Sequence, residues 1–326
     1  MSNKIKTIAV LTSGGDAPGM NPAIRSIVRT AIGNNLKVYG IKRGYAGLLN
    51  NDLVDLNASS VGDIIQKGGT ILNSSRCPEF KEKASRELAY QILTDRGVDA
   101  LIVIGGDGSF KGAHSLASEF NFPVIGIPGT IDNDISGCDY TLGFDTAVQT
   151  AVEAIDKIRD TAESNERTFF IEVMGANAPS IALKVGICTG AENIIMGHEQ
   201  TDIDKLASDI KRGIRRGKNS SIIVVAEGKA PGRSYDYAKE LELKHKINSR
   251  VCVLGHIQRG GSPSGNDRFY GSVMGQKAVK ALLDGQFCHA IVCQKSEVIA
   301  IDLDKCLTKS DDAMKSYIGI AENLSI

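Results

Sequence analysis

The sequence predicts an α/β fold of the doubly wound class, in which mostly parallel sheets are covered by helices. Two observations support this prediction. Short apolar runs alternate with helical patterns along the chain, and several of these runs contain no polar residue. Such continuous runs are typical of strands that are buried on both faces. The length of 326 residues is sufficient for two domains with well-buried cores.

Nine apolar runs are candidate strands. They are Thr7–Leu11, Lys37–Ile41, Ala100–Ile104, Pro123–Ile127, Thr168–Val173, Ser221–Ala226, Arg250–Leu254, Ala290–Cys293 and Val298–Leu303. We find no low-complexity linker and no internal repeat between them, so a domain boundary must be tight. The turn-rich stretch Ile135–Gly143 is the best candidate for it.

Helices are predicted from apolar stripes and from capping residues. Asn21 and Pro22 suit an N-cap and a first turn, and Ser60–Asp63 has the spacing of a capping box before a short helix. The two clearest stripes are Ile24, Ile27, Val28, Ala31 and Ile32, and then Ala147, Ala151, Ile155 and Ile158.

Composition excludes several classes of protein. The 38 basic residues equal the 38 acidic ones, so no overall field draws the chain to nucleic acid or to a membrane. Seven scattered cysteines without a C-x-x-C pair indicate free thiols, most simply small buried apolar side chains, in a reducing cytosol. The apolar run in Met1–Leu11 is too short for a signal peptide, and no run could span a bilayer. We therefore expect a cytoplasmic protein.

Six predicted strand ends carry residues suited to ligand binding. They are Gly14-Gly15-Asp16, Gly105–Ser109, Pro128–Asp134, Met174-Gly175, Glu227 and His256–Arg259. Ligands of open parallel sheets bind outside the carboxyl ends of the strands. Six such ends on the same side of a sheet would indicate a shared crevice.

The stretch Gly105–Ser109 predicts a phosphate site. It precedes a helical pattern, and the amides at a helix N-terminus bind phosphate. Asp107 would then be a Mg²⁺ ligand beside a polyphosphate, although it could equally be a structural helix cap. The stretch matches neither the P-loop nor the dinucleotide fingerprint, which argues against a P-loop ATPase and against a dehydrogenase.

The stretch Thr130–Asp134 predicts proton transfer. Asp132 could accept the proton of an attacking hydroxyl, and Thr130 could offer its hydroxyl to the transferring phosphate. The alternative is a series of Asx turns, because Asp-Asn-Asp also simply makes turns. Taken with the glycine stretch upstream, the pattern favours phosphoryl transfer.

These motifs resemble the bacterial type of ATP-dependent 6-phosphofructokinase, and the resemblance covers nearly the whole chain. The matching stretches are Leu11–Asn21, Ser74–Phe80, Ile104–Ser109, Ile127–Asp134 and Gly255–Pro263. The most specific signature combines Arg250, Gly255-His256, Gln258–Gly261 and Asp267-Arg268.

The resemblance implies Mg²⁺-dependent transfer of phosphate from ATP to the 1-hydroxyl of fructose 6-phosphate. Asp132 would be the base, with Thr130 and Arg76 as further catalytic residues and Asp107 as the metal ligand. The implied ATP-binding residues are Gly15, Arg76, Cys77, Gly106, Asp107, Gly108 and Ser109. The implied substrate-binding residues are Thr130, Ile131, Asp132, Arg167, Met174, Gly175, Ala176, Glu227, Arg250, His256, Ile257, Gln258 and Arg259.

It also implies two doubly wound α/β/α sandwich domains with the active site in the cleft between them. The larger, ATP-binding domain would comprise residues 1–138 and about 257–305. The smaller domain, for fructose 6-phosphate, would comprise residues 139–256 and about 306–326.

Two arginines require a separate explanation. Arg250 and His256 lie at opposite ends of one predicted strand, about 20 Å apart, so they cannot hold the same phosphate within one chain. Arg167 and Met174 present the same difficulty. These arginines are either surface charges or reach a neighbouring subunit, and the family resemblance implies the latter, in a homotetramer.

The chain departs from the family pattern at two places. Ala176 stands where the pattern has an arginine that contacts the reacting phosphates. The implied effector site for ADP or phosphoenolpyruvate retains Arg25, Arg29, Arg159, Glu192, Arg216 and Lys218, but Ala58, Asn219 and Ser220 replace basic residues. We therefore expect weakened or altered control, with exposed surface charges as the alternative for Arg216 and Lys218.

Two alternatives to the ATP-dependent enzyme remain. Ala176 is the reason to consider a non-catalytic regulatory relative that binds sugar phosphate. The pyrophosphate-dependent branch of the family is disfavoured, because it tends to carry Asp and Lys at the positions of Gly108 and Gly129.

Overall fold

The computed structural model describes residues 5–196, 201–308 and 315–324. The chain divides into two compact units. Unit 1 comprises Met1–Thr146 and Arg259–Ser310, and unit 2 comprises Ala147–Gln258 and Asp311–Ile326. The boundaries expected from the sequence follow residues 138, 256 and about 305. Each lies somewhat earlier in the chain than the corresponding boundary of the structure, which follows residue 146, 258 or 310. The reason at the first boundary is that the turn-rich stretch Ile135–Gly143 packs entirely within unit 1.

Unit 1 is built on a seven-stranded sheet. Its strands are β1 (Thr7–Ser13), β2 (Lys37–Ile41), β3 (Leu53–Leu56), β4 (Ala100–Gly105), β5 (Val124–Pro128), β10 (His289–Gln294) and β11 (Glu297–Asp302). Their order is β11-β10-β5-β4-β1-β2-β3. The inner strands pair in parallel, and only the edge strands β3 and β11 are antiparallel to their neighbours. All six residues of β4 are buried, which explains its uninterrupted apolar sequence.

Among the described residues, five helices lie wholly within unit 1. They are α1 (Met20–Gly33), α2 (Gly44–Leu49), α3 (Lys83–Asp95), α4 (Asp107–Phe120) and α9 (Gly265–Leu283). Short 3₁₀ helices cover Pro78–Lys81 and Leu303–Cys306. The apolar stripe of α1 is buried as predicted, at Ile24, Ile27 and Val28.

Two predictions about helix starts are wrong. The structure begins α1 at Met20 with Gly19 as N-cap, because the Asn21 side chain instead donates to the carbonyls of Lys67 and Gly68 and accepts from the Ile71 amide. No helix begins at Ser60, because residues 58–63 form turns. In these turns, Asn57 Oδ1 accepts hydrogen bonds from the amides of Ser59 and Ser60.

Unit 2 contains a four-stranded, fully parallel sheet. Its strands are β6 (Thr168–Val173), β7 (Asn193–Ile195), β8 (Ser221–Ala226) and β9 (Ser249–Val253), in the order β7-β8-β6-β9. Its helices are α6 (Ser180–Thr189), α7 (Ile203–Arg215), α8 (Arg233–His245) and α10 (Lys315–Leu324). The long helix α5 (Phe144–Ser164) begins in unit 1 and continues into unit 2, and a 3₁₀ turn at Gly255–Arg259 ends in unit 1.

Helices α1 and α9 approach closely because two glycines of α9 carry no side chain. A Cβ at Gly271 would lie 2.8 Å from the carbonyl oxygen of Gly19, and one at Gly275 would lie 2.6 Å from that of Ala23. These distances are too short for any other residue without displacement of the backbone. None of the described helices is long and apolar enough to cross a membrane.

Candidate active site

Three of the predicted strand ends meet at the carboxyl edge of the unit 1 sheet. β5, β4 and β1 are neighbours and run in parallel, so the loops that follow them lie side by side. The Gly129 amide donates to the Gly105 carbonyl at 3.0 Å, and Ser109 Oγ donates to the Ser13 carbonyl at 3.1 Å. The loops are therefore joined by hydrogen bonds, while the other three strand ends belong to the separate sheet of unit 2.

The loop after β4 presents the N-terminus of α4. Gly106 is its N-cap residue, with a carbonyl that accepts from the amides of Ser109 and Phe110, both at 3.0 Å. Asp107 occupies the first turn, and Lys111 Nζ lies 2.7 Å from its carboxylate, one turn along the helix. A Cβ at Gly108 would meet no atom within 4 Å. This 14-residue helix thus offers amides and open space to an anionic ligand.

Two aromatic rings hold the Arg76 segment against α4. Tyr45 and Phe80 stack with centroids 3.9 Å apart, and Gly112 of α4 leaves room for them. The buried Tyr45 hydroxyl donates to the Ser109 carbonyl at 2.7 Å, and burial raises its pKa. Arg76 itself is exposed, and so lies open to a ligand.

Cys77, next to Arg76, is half-buried. Its thiol lies 3.5 Å from Glu79, and burial is the main reason why its pKa is raised. Because the thiolate is the reactive form of cysteine, this environment makes Cys77 less reactive than an ordinary thiol.

The segment Thr130–Asp134, here called the base loop, follows β5. Thr130 Oγ1 accepts from the Asp132 amide at 3.2 Å, which leaves the threonine hydroxyl proton to be donated elsewhere. Asn133, with φ of 51°, accepts from the Thr141 amide at 2.9 Å. Asp132 is half-buried, whereas the Ile131 side chain is 1% exposed and belongs to the core. The short-range turn bond of this loop is thus made by Thr130, while the Asn133 side chain bonds an amide eight residues further on.

Arg259 lies over the glycine turn that follows β1. Its Nη1 donates to the Asp16 carbonyl at 3.2 Å, and a side chain at Gly15 would overlap the guanidinium. Gly15 therefore has to be glycine for Arg259 to lie there. In this structure Arg259 therefore lies against Gly15, which the resemblance assigns to the ATP site.

In unit 2, the three remaining strand ends lie at the carboxyl edge of the second sheet. Gln258 is completely buried, and its side chain accepts from the Met174 amide at 2.9 Å and donates to the Ala147 carbonyl at 3.4 Å. Both ends of this amide thus make a hydrogen bond within the unit, and Gln258 fixes the Met174 backbone. The Glu227 amide donates to the Val173 carbonyl at 2.9 Å.

Ala176 occupies a left-handed backbone conformation beside Glu227. Its φ is 48°, and its amide donates to Glu227 Oε1 at 3.2 Å. The residue is exposed, and it follows Gly175, whose φ is 139°. The loop therefore turns sharply and would carry a longer side chain at position 176 without a clash inside the core.

Arg167 and Arg250, which the resemblance assigns to a neighbouring subunit, lie at the amino edge of the unit 2 sheet. Arg250 is opposite Phe169 in the register of β9 and β6, and Arg167 comes directly before β6. Both are exposed. His256 and Ile257 are also exposed, but they follow β9 at the carboxyl edge, so strand length separates the two sets.

Three of the implied effector residues of unit 2 line a cavity of about 480 Å³. Arg159, Glu192, Lys218, Asn219 and Ser220 contribute to its lining. Glu192 pairs with Lys218 at 3.0 Å and accepts from the Ile222 amide at 2.6 Å, and Arg159 donates to the Thr189 carbonyl at 2.6 Å.

The remaining effector residues lie outside that cavity lining. Arg216, at the end of α7, lines a smaller neighbouring cavity. Arg25 and Arg29 lie one turn apart on α1 in unit 1, where Arg25 is half-buried and Arg29 is exposed.

The metal site expected at Asp107 is compatible with the chemistry of Mg²⁺. The described residues contain no cluster of three or more side chains that would form an all-protein metal site. Mg²⁺ is commonly held by one or two carboxylates together with substrate phosphates and water. Asp107, in the first turn of a helix whose N-terminal amides could accept a phosphate, is one such carboxylate.

Several residues that shape the site were not singled out from the sequence. They are Tyr45, Lys111 and Thr141, and each contacts a residue that the sequence analysis did identify. Lys111 carries a visible signal, since it stands four residues after Asp107 within a helical pattern. Tyr45 and Thr141 carry none, because their partners are distant in sequence.

Comparisons with known proteins support the same family. Residues 7–282 match a family model described as phosphofructokinase. The chain is 51% identical over 324 residues to the ATP-dependent 6-phosphofructokinase of Staphylococcus carnosus, covering 99% of this chain and 100% of that protein. It is also 51% identical over 325 residues to the enzyme of the same name from a Thermoanaerobacter species, again covering 99% and 100%.

A solved structure, the phosphofructokinase of Pichia pastoris, superposes with a TM-score of 0.87 at 32% identity. The match covers the whole of this chain and 37% of the yeast one, so the present chain spans just over a third of that protein.

Proposed function

The chain belongs to the phosphofructokinase family, and from this we propose that it transfers a phosphoryl group from ATP to the 1-hydroxyl of fructose 6-phosphate. The products are ADP and fructose 1,6-bisphosphate, which makes the reaction a step of glycolysis. The observation that carries the proposal is the adjacency of two loops in unit 1. The N-terminus of α4 and the base loop follow neighbouring parallel strands, joined by the hydrogen bond from Gly129 to Gly105.

Phosphoryl transfer requires mainly positioning and electrostatic stabilisation. The amides at the start of α4, together with Gly106, Gly108 and Ser109, would bind the phosphates of ATP, with Gly15, Arg76 and Cys77 around the nucleotide. Asp107 would hold Mg²⁺, whose contribution when bound is to neutralise charge on the phosphate oxygens. Lys111, now paired with Asp107 at 2.7 Å, would be free to turn towards a phosphate.

Asp132 would accept the proton from the 1-hydroxyl. As this O–H bond breaks, the hydroxyl oxygen forms its bond to the γ-phosphorus, and the bond from phosphorus to the bridging oxygen of ADP breaks. Thr130 would donate its hydroxyl proton to an oxygen of the transferred group, since its Oγ1 already accepts from the Asp132 amide.

Sugar-phosphate contacts are assigned to both units. In unit 1 they are Arg259 and the base loop. In unit 2 they are Met174, Gly175, Glu227 and His256, with Arg167 and Arg250 serving a neighbouring copy of the chain. The exposure of both arginines at the amino edge of their sheet supports this last assignment. The assignment requires at least a second copy of the chain, and the resemblance implies a homotetramer, so a monomer by light scattering under assay conditions would contradict it.

Initial rates with ATP and with pyrophosphate test the proposed function. We expect turnover with ATP, because the open space at Gly108 leaves room for a nucleotide phosphate. Turnover only with pyrophosphate would overturn the choice of donor. No turnover with either donor, together with retained binding of fructose 6-phosphate, would support the regulatory alternative that Ala176 raises.

We also propose that effector control is weak, since two basic residues of the family pattern are absent from the unit 2 cavity. Asn219 and Ser220 line it, while Lys218 already pairs with Glu192. A charge-assisted hydrogen bond contributes about 1.5–3 kcal/mol, so Asn219→Lys should tighten ADP binding about tenfold. Isothermal titration calorimetry of the wild type, of this variant and of the exposed α7 control Ser208→Lys measures the change. Full activation by ADP and full inhibition by phosphoenolpyruvate in the wild type would contradict weak control.

A further inference from the structure

Asp267 is a buried carboxylate that no step above uses. It lies in the first turn of α9 and has no exposed surface. The N-cap residue Ser264 accepts from its amide at 3.2 Å, so its backbone position is fixed by the helix start. A buried acid is costly unless its oxygen atoms are hydrogen-bonded.

Four donors reach this carboxylate, and all of them come from one short stretch of unit 1. Oδ1 accepts from the Tyr140 hydroxyl and from the Gly143 amide, both at 2.7 Å. Oδ2 accepts from the Thr146 amide at 3.0 Å and from the Thr146 hydroxyl at 2.5 Å. Each oxygen thus receives two neutral donors, and Asp267 fixes residues 140–146, here called the return segment, to α9.

The return segment is in turn bonded to the base loop. Thr141 Oγ1 donates to the Thr130 carbonyl at 2.6 Å, and the Thr141 amide donates to Asn133 Oδ1 at 2.9 Å. The Leu142 amide donates to the Pro128 carbonyl at 2.9 Å, at the end of β5. Two of these bonds, to Thr130 and Pro128, hold the chain before Asp132, and the third holds Asn133 directly after it.

We propose that Asp267 is a positioning residue for Asp132. It acts through the return segment, which is hydrogen-bonded to Asp267 on one side and to the base-loop residues next to Asp132 in the chain on the other. The inference rests on the proposed function, because it assigns Asp267 to the placement of the proposed base. Its physical basis is that a displacement of about 1 Å in a reacting group can cost about 100-fold in rate.

Asp267→Asn tests this assignment with little change in size. An amide has one acceptor oxygen, and its NH₂ group would face donors where Asp267 presents an oxygen. We expect kcat to fall about tenfold or more, while KM for ATP stays within about twofold, since Asp267 does not contact the start of α4. The matched control is Leu282→Ala, a core truncation in the last turn of α9 at 1% exposure. It should lower the melting temperature with little effect on kcat.

Hydrogen–deuterium exchange supplies a second readout that does not depend on turnover. We expect faster exchange of the Thr141 and Leu142 amides in Asp267→Asn but not in Leu282→Ala. If the wild type has no kinase activity, the proposed function fails while exchange still tests the anchoring. Unchanged kcat and unchanged exchange in a folded Asp267→Asn protein would overturn the inference.

Tyr140→Phe and Thr141→Val provide an alternative test if the Asp267→Asn protein does not fold. Each removes one hydrogen bond of the chain, and each should lower kcat about two- to tenfold, in line with the usual worth of one such bond. Because the three positions act through one segment, their effects should be non-additive in double variants. Wild-type kcat in both single variants would contradict the proposal.

Discussion

Asp132→Ser is expected to lower kcat by about 10²- to 10⁴-fold, the range that general base catalysis usually contributes. KM for ATP and for fructose 6-phosphate should change much less, because the proton moves only as the transition state forms. Steady-state kinetics with both substrates varied measure the two effects separately.

Two further variants make this experiment specific. Asp132→Asn keeps the size of the side chain, so a comparable loss there assigns the effect to proton acceptance and not to shape. Asp139→Ser removes an exposed carboxylate from the stretch between the base loop and the return segment. It should leave kcat within about twofold. A wild-type kcat in Asp132→Ser would remove Asp132 from the role of base.

Ala176→Arg is expected to raise kcat by about 10- to 100-fold. The family pattern has an arginine here, and one charge-assisted hydrogen bond to a reacting phosphate is worth about 1.5–3 kcal/mol, or one to two decades of rate. The backbone at Ala176 turns sharply, with φ of 48°, and its amide donates to Glu227. The residue is exposed, so no core packing has to be rearranged.

The matched control is Ala176→Gln, which is long and polar but has no charge. Ala176→Gly separates the backbone effect, since glycine adopts a positive φ without the cost that alanine bears there. Initial rates at saturating substrates decide the outcome. An unchanged kcat in Ala176→Arg would mean that another cation already stabilises the transferred phosphate.

The sequence predicted the inner sheet strands well because each is buried on both faces and therefore uninterrupted in its apolar pattern. β4 and β8 are the clearest cases, with every residue buried. β3 and β7 were missed because they are short and only partly buried, so their composition carries little signal. Propensity also failed at Asn57, whose side chain bonds the amides of a turn where a helix start was predicted.

Within the site, sequence reasoning identified loops better than the roles of single side chains. The three loops of unit 1 are adjacent, as the parallel order of their strands requires. Gln258 shows the limit, since its burial and its bond to Met174 depend on packing between segments far apart in the chain. Asp267 shows the same limit, because all its partners on the return segment are more than a hundred residues away.

The pairing of Lys111 with Asp107 at 2.7 Å bears on the order in which ligands arrive. A free divalent ion would have to compete with an ammonium group that already balances this carboxylate. An ion carried by a triphosphate brings anionic oxygen atoms of its own, to which the displaced ammonium can turn. Only in the second case does the displaced ammonium regain an anionic partner, and at the metal site proposed above this would favour the arrival of metal and nucleotide together.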